Sequence, residues 1–137
     1  MALDMNGDPY ETDGYLIFAD TGNQRIRKLT LDSTSMICSG NCVATIAGIG
    51  GKNCTDYDCN AGDDGLAVDA RLNYPTGLAI DSYGNIFIAD SSNNRIRKII
   101  FTTSVITHVA GASNGDNLRY ASTTMDYRNS YLWNPLG

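Results

Sequence analysis

GYLIFADTGNQRIRKL, Gly14 to Leu29, aligns without a gap on GNIFIADSSNNRIRKI, Gly84 to Ile99, and half of the positions are identical. A phrase repeated at a spacing of about 70 residues marks a chain built from copies of one supersecondary unit. The likeness runs beyond the matched core. After each copy come a short polar turn, a β-branched run and the same closing dipeptide, TIAG ending at Gly48 and HVAG ending at Gly111. Ahead of the second copy stands LNYPTGLAID, Leu72 to Asp81; the N-terminus offers ALD at Ala2 to Asp4, and the C-terminus offers LWNPLG at Leu132 to Gly137. The sequence reads as two whole repeats cut in register at Pro-x-Gly. The first unit covers 1–77 with its cysteine-containing linker, and the second covers 78–137 with a linker toward a following unit.

Within one repeat, period-2 and apolar runs predict four short strands: LAID near Leu78, NIFIAD near Asn85, NRIRKIIF near Asn94 and VITHVAG near Val105. Polar turns separate them, SYGN after Asp81, SSNN after Asp90 and TTS after Phe101. Four antiparallel strands per repeat, joined by tight turns and followed by a longer crossing segment, are the anatomy of a β-propeller blade. The first copy has longer first and third turns, at Met5–Asp13 and around Cys38 and Cys42, and insertions at turns leave such a scaffold intact.

Composition agrees with an all-β chain. Fourteen Gly, eight Tyr and only 18% charged residues suit turn-rich strands, and 42% hydrophobic residues suffice for a core. The net charge of −5 repels phosphate backbones and anionic headgroups, so neither nucleic acid nor a membrane surface is an expected partner. The N-terminal MALDMNGDPY lacks the order of a signal peptide, so any export signal is expected elsewhere.

The strings ADTGNQRIRKL, ADSSNNRIRKI and GDDGLAVDARLNYPTGLAIDSYGNIFIAD resemble the NHL repeat family. The resemblance covers nearly the whole chain and implies NHL-type β-propeller blades, each a four-stranded antiparallel sheet. Rings of this family close with about six blades, so two blades imply an incomplete ring in one chain. The expected partners are other blades, from the same longer protein or from identical chains. Asp63-Asp64-Gly65 is similar to the family's GDGG phrase, and Asp64 is expected to cap a short helical turn running to Leu72.

Several residues invite a chemical reading. Asp20 and Asp90 end the second strand of each blade, and Arg25, Arg27, Arg95 and Arg97 share one face of the third, so turn ion pairs are expected rather than a ligand surface. Ile26 and Ile96 then face the other way, toward packing between blades. The four cysteines form two close pairs in polar loops, and the expected pairing is Cys38 with Cys42 and Cys54 with Cys59 in an oxidising compartment. Zinc is disfavoured by the irregular spacing and because the two loops leave opposite ends of the strands. Asn53-Cys54-Thr55 is a glycosylation sequon and points to the same compartment. The Asp4, Asn6 and Asp8 oxygens alternate as in a calcium loop, with Glu11 and Asp13 close behind, but Pro9 replaces the needed glycine. A solvated acidic turn is the preferred reading, and the spacing alone leaves calcium open.

For catalysis the inventory is poor. His108 is the one histidine, Thr45 stands in its place in the first blade, and no G-x-S-x-G setting occurs. No catalytic residue, metal or cofactor is expected. The sequence therefore reads as an extracellular or secreted propeller module that binds a protein or glycan, or builds an assembly through blade-to-blade contacts. The alternative is a scaffold segment of a propeller lyase or hydrolase whose catalytic residues lie in other blades. Two blades alone are also expected to bare Ile17, Ile86, Ile88 and Ile96 on an open face.

Overall fold

The structure, a computed structural model, describes residues 2–4, 14–30, 42–51 and 61–111. It is all-β, as the repeat predicts. Strands β1 (Ala2–Asp4), β2 (Tyr15–Asp20), β3 (Arg25–Thr30) and β4 (Val43–Ala47) form one sheet, ordered β1-β2-β3-β4. Strands β5 (Pro75–Ile80), β6 (Ile86–Asp90), β7 (Arg95–Ile99) and β8 (Ile106–Gly111) form the other, ordered β5-β6-β7-β8. Every pairing is antiparallel. These are two NHL-type blades, and the described residues do not close a ring.

The repeated residues have repeated structural reasons. ADTGNQ and ADSSNN each fold into one 3-10 turn, Thr21–Asn23 and Ser91–Asn93, followed by a left-handed residue, Gln24 or Asn94. SYGN is fastened by Asp81, whose carboxylate accepts from the Tyr83 and Asn85 backbone N–H groups and from the Asn85 amide. That last bond, with the backbone donors, holds the Asp81 carboxyl below its ordinary pKa. The closing Ala-Gly follows a bulge seen in both blades, at Ile26/Arg27 and Ile96/Arg97. There Gly48 and Gly111 adopt φ of +90° and +99°, and a Cβ would collide with the Gln24 or Asn94 carbonyl oxygen. Only glycine fits both the conformation and the approach.

Strand alternation decides which side chains meet between the blades. On β2 and β3 the residues Ile17 and Ile26 face the second sheet; on β6 and β7 the residues Ile86, Ile88 and Ile99 face the first. With Ala47, Ile106 and the linker residues Ala67, Ala70 and Leu72 they form one core cluster. Each fully buried isoleucine contributes roughly 1.5–3 kcal/mol. Three of the four isoleucines expected on an open face are therefore covered: Ile17, Ile86 and Ile88 are 2%, 7% and 0% exposed. They lie on the facing sides of the two sheets and cover one another. Ile96 alone lies on the far side of its sheet, half-buried.

The linker differs from expectation too. Asp64 does not cap a helical turn; it takes a left-handed φ of 63° and is exposed. A single 3-10 turn, Ala67–Asp69, has Leu66 at its N-cap and no side-chain cap bond. The segment ahead of it is held in strand-like pairing instead. Asp64 N–H donates to Ile106 O at 2.8 Å, Ile106 N–H to Gly65 O at 3.0 Å, and Leu66 bridges Val105.

Candidate functional site

The polar chemistry of the described residues gathers where the linker enters the seam between the blades. Register places Asp90 opposite Arg95 and Ile88 opposite Arg97, so the carboxylate and both guanidiniums share the face of β6 and β7 that looks toward the first blade. Asp90, Arg95 and Arg97 are 0%, 1% and 0% exposed. Buried charges persist only when paired and hydrogen-bonded. The linker supplies the pairing.

Arg97 lies 2.8 Å through Nη2 from Asp63 Oδ1 and donates Nε to the same oxygen at 2.8 Å. Its Nη1 donates to the Arg71 carbonyl at 2.6 Å and lies 3.4 Å from Asp90 Oδ2. Arg95 Nη1 reaches Asp63 Oδ2 at 3.4 Å. Asp90 also accepts from the Asn73 backbone N–H at 2.7 Å and the Asn93 amide at 2.8 Å. Burial pushes the Asp90 carboxyl above its ordinary pKa, opposed by the Asn73 N–H, Asn93 and Arg97. Burial likewise lowers the pKa of Arg95, opposed by Asp63. One aspartate from the linker thus ties two arginines of β7 to the segment that crosses from the first blade.

A second fastening lies at the same seam. Gln24, 3% exposed, accepts the Tyr74 backbone N–H on its side-chain oxygen at 2.5 Å, and Thr21 donates to the Pro75 carbonyl at 2.7 Å. The first blade's 3-10 turn is thereby joined to the start of β5. Gly48 and Ile49 N–H groups add bonds to the Ala67 and Ala70 carbonyls, at 2.9 and 3.0 Å.

The expected turn ion pairs divide between the blades. In the second, Asp90 meets Arg97, but both arginines also pair with Asp63, which the sequence reading placed only in the linker's GDGG-like phrase. In the first blade no ion pair forms among the described residues at Asp20, Arg25 or Arg27. Asp20 accepts from Asn23 at 2.9 Å, Arg25 donates to the Ile49 carbonyl at 3.1 Å, and Arg27 donates to Thr45 Oγ1 at 2.7 Å. The reason is positional. These residues lie on the face of the first blade turned away from the second, where no linker aspartate of the described chain reaches. The signal that could have found Asp63 is the GDDG phrase itself, read as a partner for the RIR phrase of the following blade.

His108 stands opposite Arg97 and Thr45 opposite Arg27, so the two residues that the repeat makes equivalent occupy equivalent places in the register. His108 is half-buried, and its Nε2 has no hydrogen-bond partner. Burial, then the positive charge of Arg95, lowers its pKa. Cys42 is disulfide-bonded. Cys38, Cys54, Cys59 and Asn53 lie outside the described residues, as does the turn with Asn6, Asp8, Glu11 and Asp13.

Residues 8–132 match the family described as the Teneurin NHL domain. The chain is similar to Teneurin-4 of Homo sapiens, 39% identical over 89 residues that make up 63% of this chain and 3% of that protein. It is similar to Teneurin-3 of Mus musculus, 36% over 93 residues, again 63% and 3%. NHL repeat-containing protein 2 of Bos taurus is 36% identical over 62 residues, 44% of this chain and 8% of that protein. The chain thus spans about 3% of the length of the teneurins it matches.

Proposed function

Because the chain belongs to the Teneurin NHL domain family, we propose that it is a blade pair of an extracellular β-propeller that works without catalysis of its own, building an assembly through blade-to-blade contacts and presenting its loops to a protein or glycan partner. The observation that carries this reading is the use of the buried charges. Asp63, Asp90, Arg95 and Arg97 are spent on one another and on backbone carbonyls, an arrangement suited to joining blades rather than to turning over a substrate. The exterior placement is supported by the paired cysteines and the Asn53 sequon.

The test is the mass of the 137-residue chain in solution, measured by sedimentation. Bare blade faces seek a second sheet, so the expected particle is heavier than the 14.8 kDa monomer. A well-folded particle of monomer mass overturns the assembly reading.

A further inference from the structure

The seam between the blades is fastened by the linker near the 3-10 turns, and at its other end it holds a cavity of about 190 Å³. The apolar walls are Ile17 and Ile46 on the first blade and Ile86, Ile99 and Phe101 on the second. Register sets these walls at one level, since Ile86 pairs with Ile99 and Ile17 pairs with Lys28. Exposed Phe101 and Ser104 form the rim toward solvent. The volume limits what can enter. An apolar cavity of roughly 150 Å³ holds a benzene ring, so this one has room for a single ring and a short chain.

The wall on the second blade is held in place by its own hydrogen bonds. Asp81 accepts from the Asn85 side-chain amide at 2.9 Å, and Asn85 Oδ1 accepts the Phe101 backbone N–H at 3.1 Å. Gly84, at a φ of +79°, lets the Phe101 ring lie against the preceding turn, where a Cβ would crowd the ring at 3.1 Å. The Ser104 N–H donates to the Ile100 carbonyl at 2.8 Å and fixes the rest of the rim. A wall that is already ordered loses little entropy when a ligand arrives.

The charge of the cavity has one sign. Lys28 faces it from the first blade, its ammonium 4.1 Å from the centre of the Tyr15 ring, and no acidic residue lines it among the described residues. Arg95 and Arg97 are each paired with a carboxylate, whereas Lys28 makes no ion pair among the described residues. A cation at the mouth of an apolar cavity selects an anion with an apolar body. We propose that the cavity is a binding site for a small monocarboxylate carrying a single apolar ring or a short branched chain. The apolar body lies between Ile17, Ile86 and Ile99, and the carboxylate meets the Lys28 ammonium and the Ser104 hydroxyl. Tyr15 keeps the ammonium at the mouth. The site goes beyond the assembly reading, because its walls come from the facing sides of two blades of one chain.

The experiment titrates two probes of like shape, phenylpropionate and phenylpropanol, into the whole chain with isotope-labelled isoleucine methyls, followed by NMR. Both probes are expected to shift the methyls of Ile17, Ile46, Ile86 and Ile99 saturably, with the carboxylate bound at least about fivefold more tightly than the alcohol. Lys28→Gln is expected to weaken phenylpropionate alone and bring the two affinities within about twofold. Lys98→Gln, at a lysine that lies over Phe87 on the other face of the second blade, is expected to change neither. Ile46→Trp, which places a ring in the cavity, is expected to weaken both probes while the remaining methyl signals keep their folded dispersion. Equal affinities in the parent chain, no saturable shift at these isoleucines, or a preference for the carboxylate that survives Lys28→Gln overturns the proposal. A fall in the sedimenting mass on adding phenylpropionate would give the cavity to a side chain of a second copy and overturn the choice of occupant.

Discussion

Asp63→Ala removes the linker carboxylate that pairs with both buried arginines of the second blade, so its cost measures how far the seam depends on the linker. Removing one partner of a buried pair costs about 3–5 kcal/mol, since the other charge stays behind without compensation. Two features pull the figure to the lower end. Asp63 is 22% exposed, and Arg97 keeps Asp90 and the carbonyls of Arg71 and Ala61. The expected loss is about 3 kcal/mol, which at about 4 °C per kcal/mol for a chain of this size lowers Tm by about 12 °C. Asp20→Ala, which removes a single exposed bond from Asn23, is the internal control and should cost under about 1 kcal/mol. Calorimetry and urea titration of the parent chain and both variants read the difference. A Tm for Asp63→Ala within a degree or two of the parent, or equal losses at the two aspartates, would refute the claim that the linker carboxylate holds the seam.

Gly111→Ala places a Cβ against the Asn94 carbonyl at a φ of +99°, and should destabilise by more than about 2 kcal/mol, whereas Gly22→Ala, with open space around it, should cost much less; equal urea midpoints would contradict the close approach. His108 has a pKa lowered on folding, so the unfolded chain takes up its proton more readily, and stability present above about pH 6.5 should fall as the pH drops through the folded value. His108→Gln should flatten that slope between pH 7.5 and pH 5, and an unchanged slope would place the sensitivity elsewhere. A non-reduced peptide map should join Cys38 to Cys42 and Cys54 to Cys59, with glycan on Asn53 in protein from the native source; a cross-pair such as Cys38 with Cys54 would undo the pairing.

The sequence by itself determined the blade. Two copies of one phrase, alternation within the copies, and turn residues at fixed offsets are local information, and they specify four strands, their order and even the Ala-Gly that ends each blade. The repeat also placed Thr45 in the first blade where His108 stands in the second, and the strand register set them opposite Arg27 and Arg97. What only the tertiary structure decided is which face of each blade meets which neighbour. Ile17 and Ile88 read alike as exposed edges of an incomplete ring until the two sheets are set face to face, where they cover each other. Asp63 and Arg97 are 34 residues apart, and Gln24 and Tyr74 are 50 apart; nothing in a local pattern says that a turn aspartate will meet a strand arginine. The same phrase, Asp followed by Arg-x-Arg, is a buried ion-pair cluster in the second blade and, among the described residues, a set of hydrogen bonds without an ion pair in the first. The difference is not in those residues but in whether a linker among the described residues passes over them, because a buried charge takes its state from the groups that surround it in space.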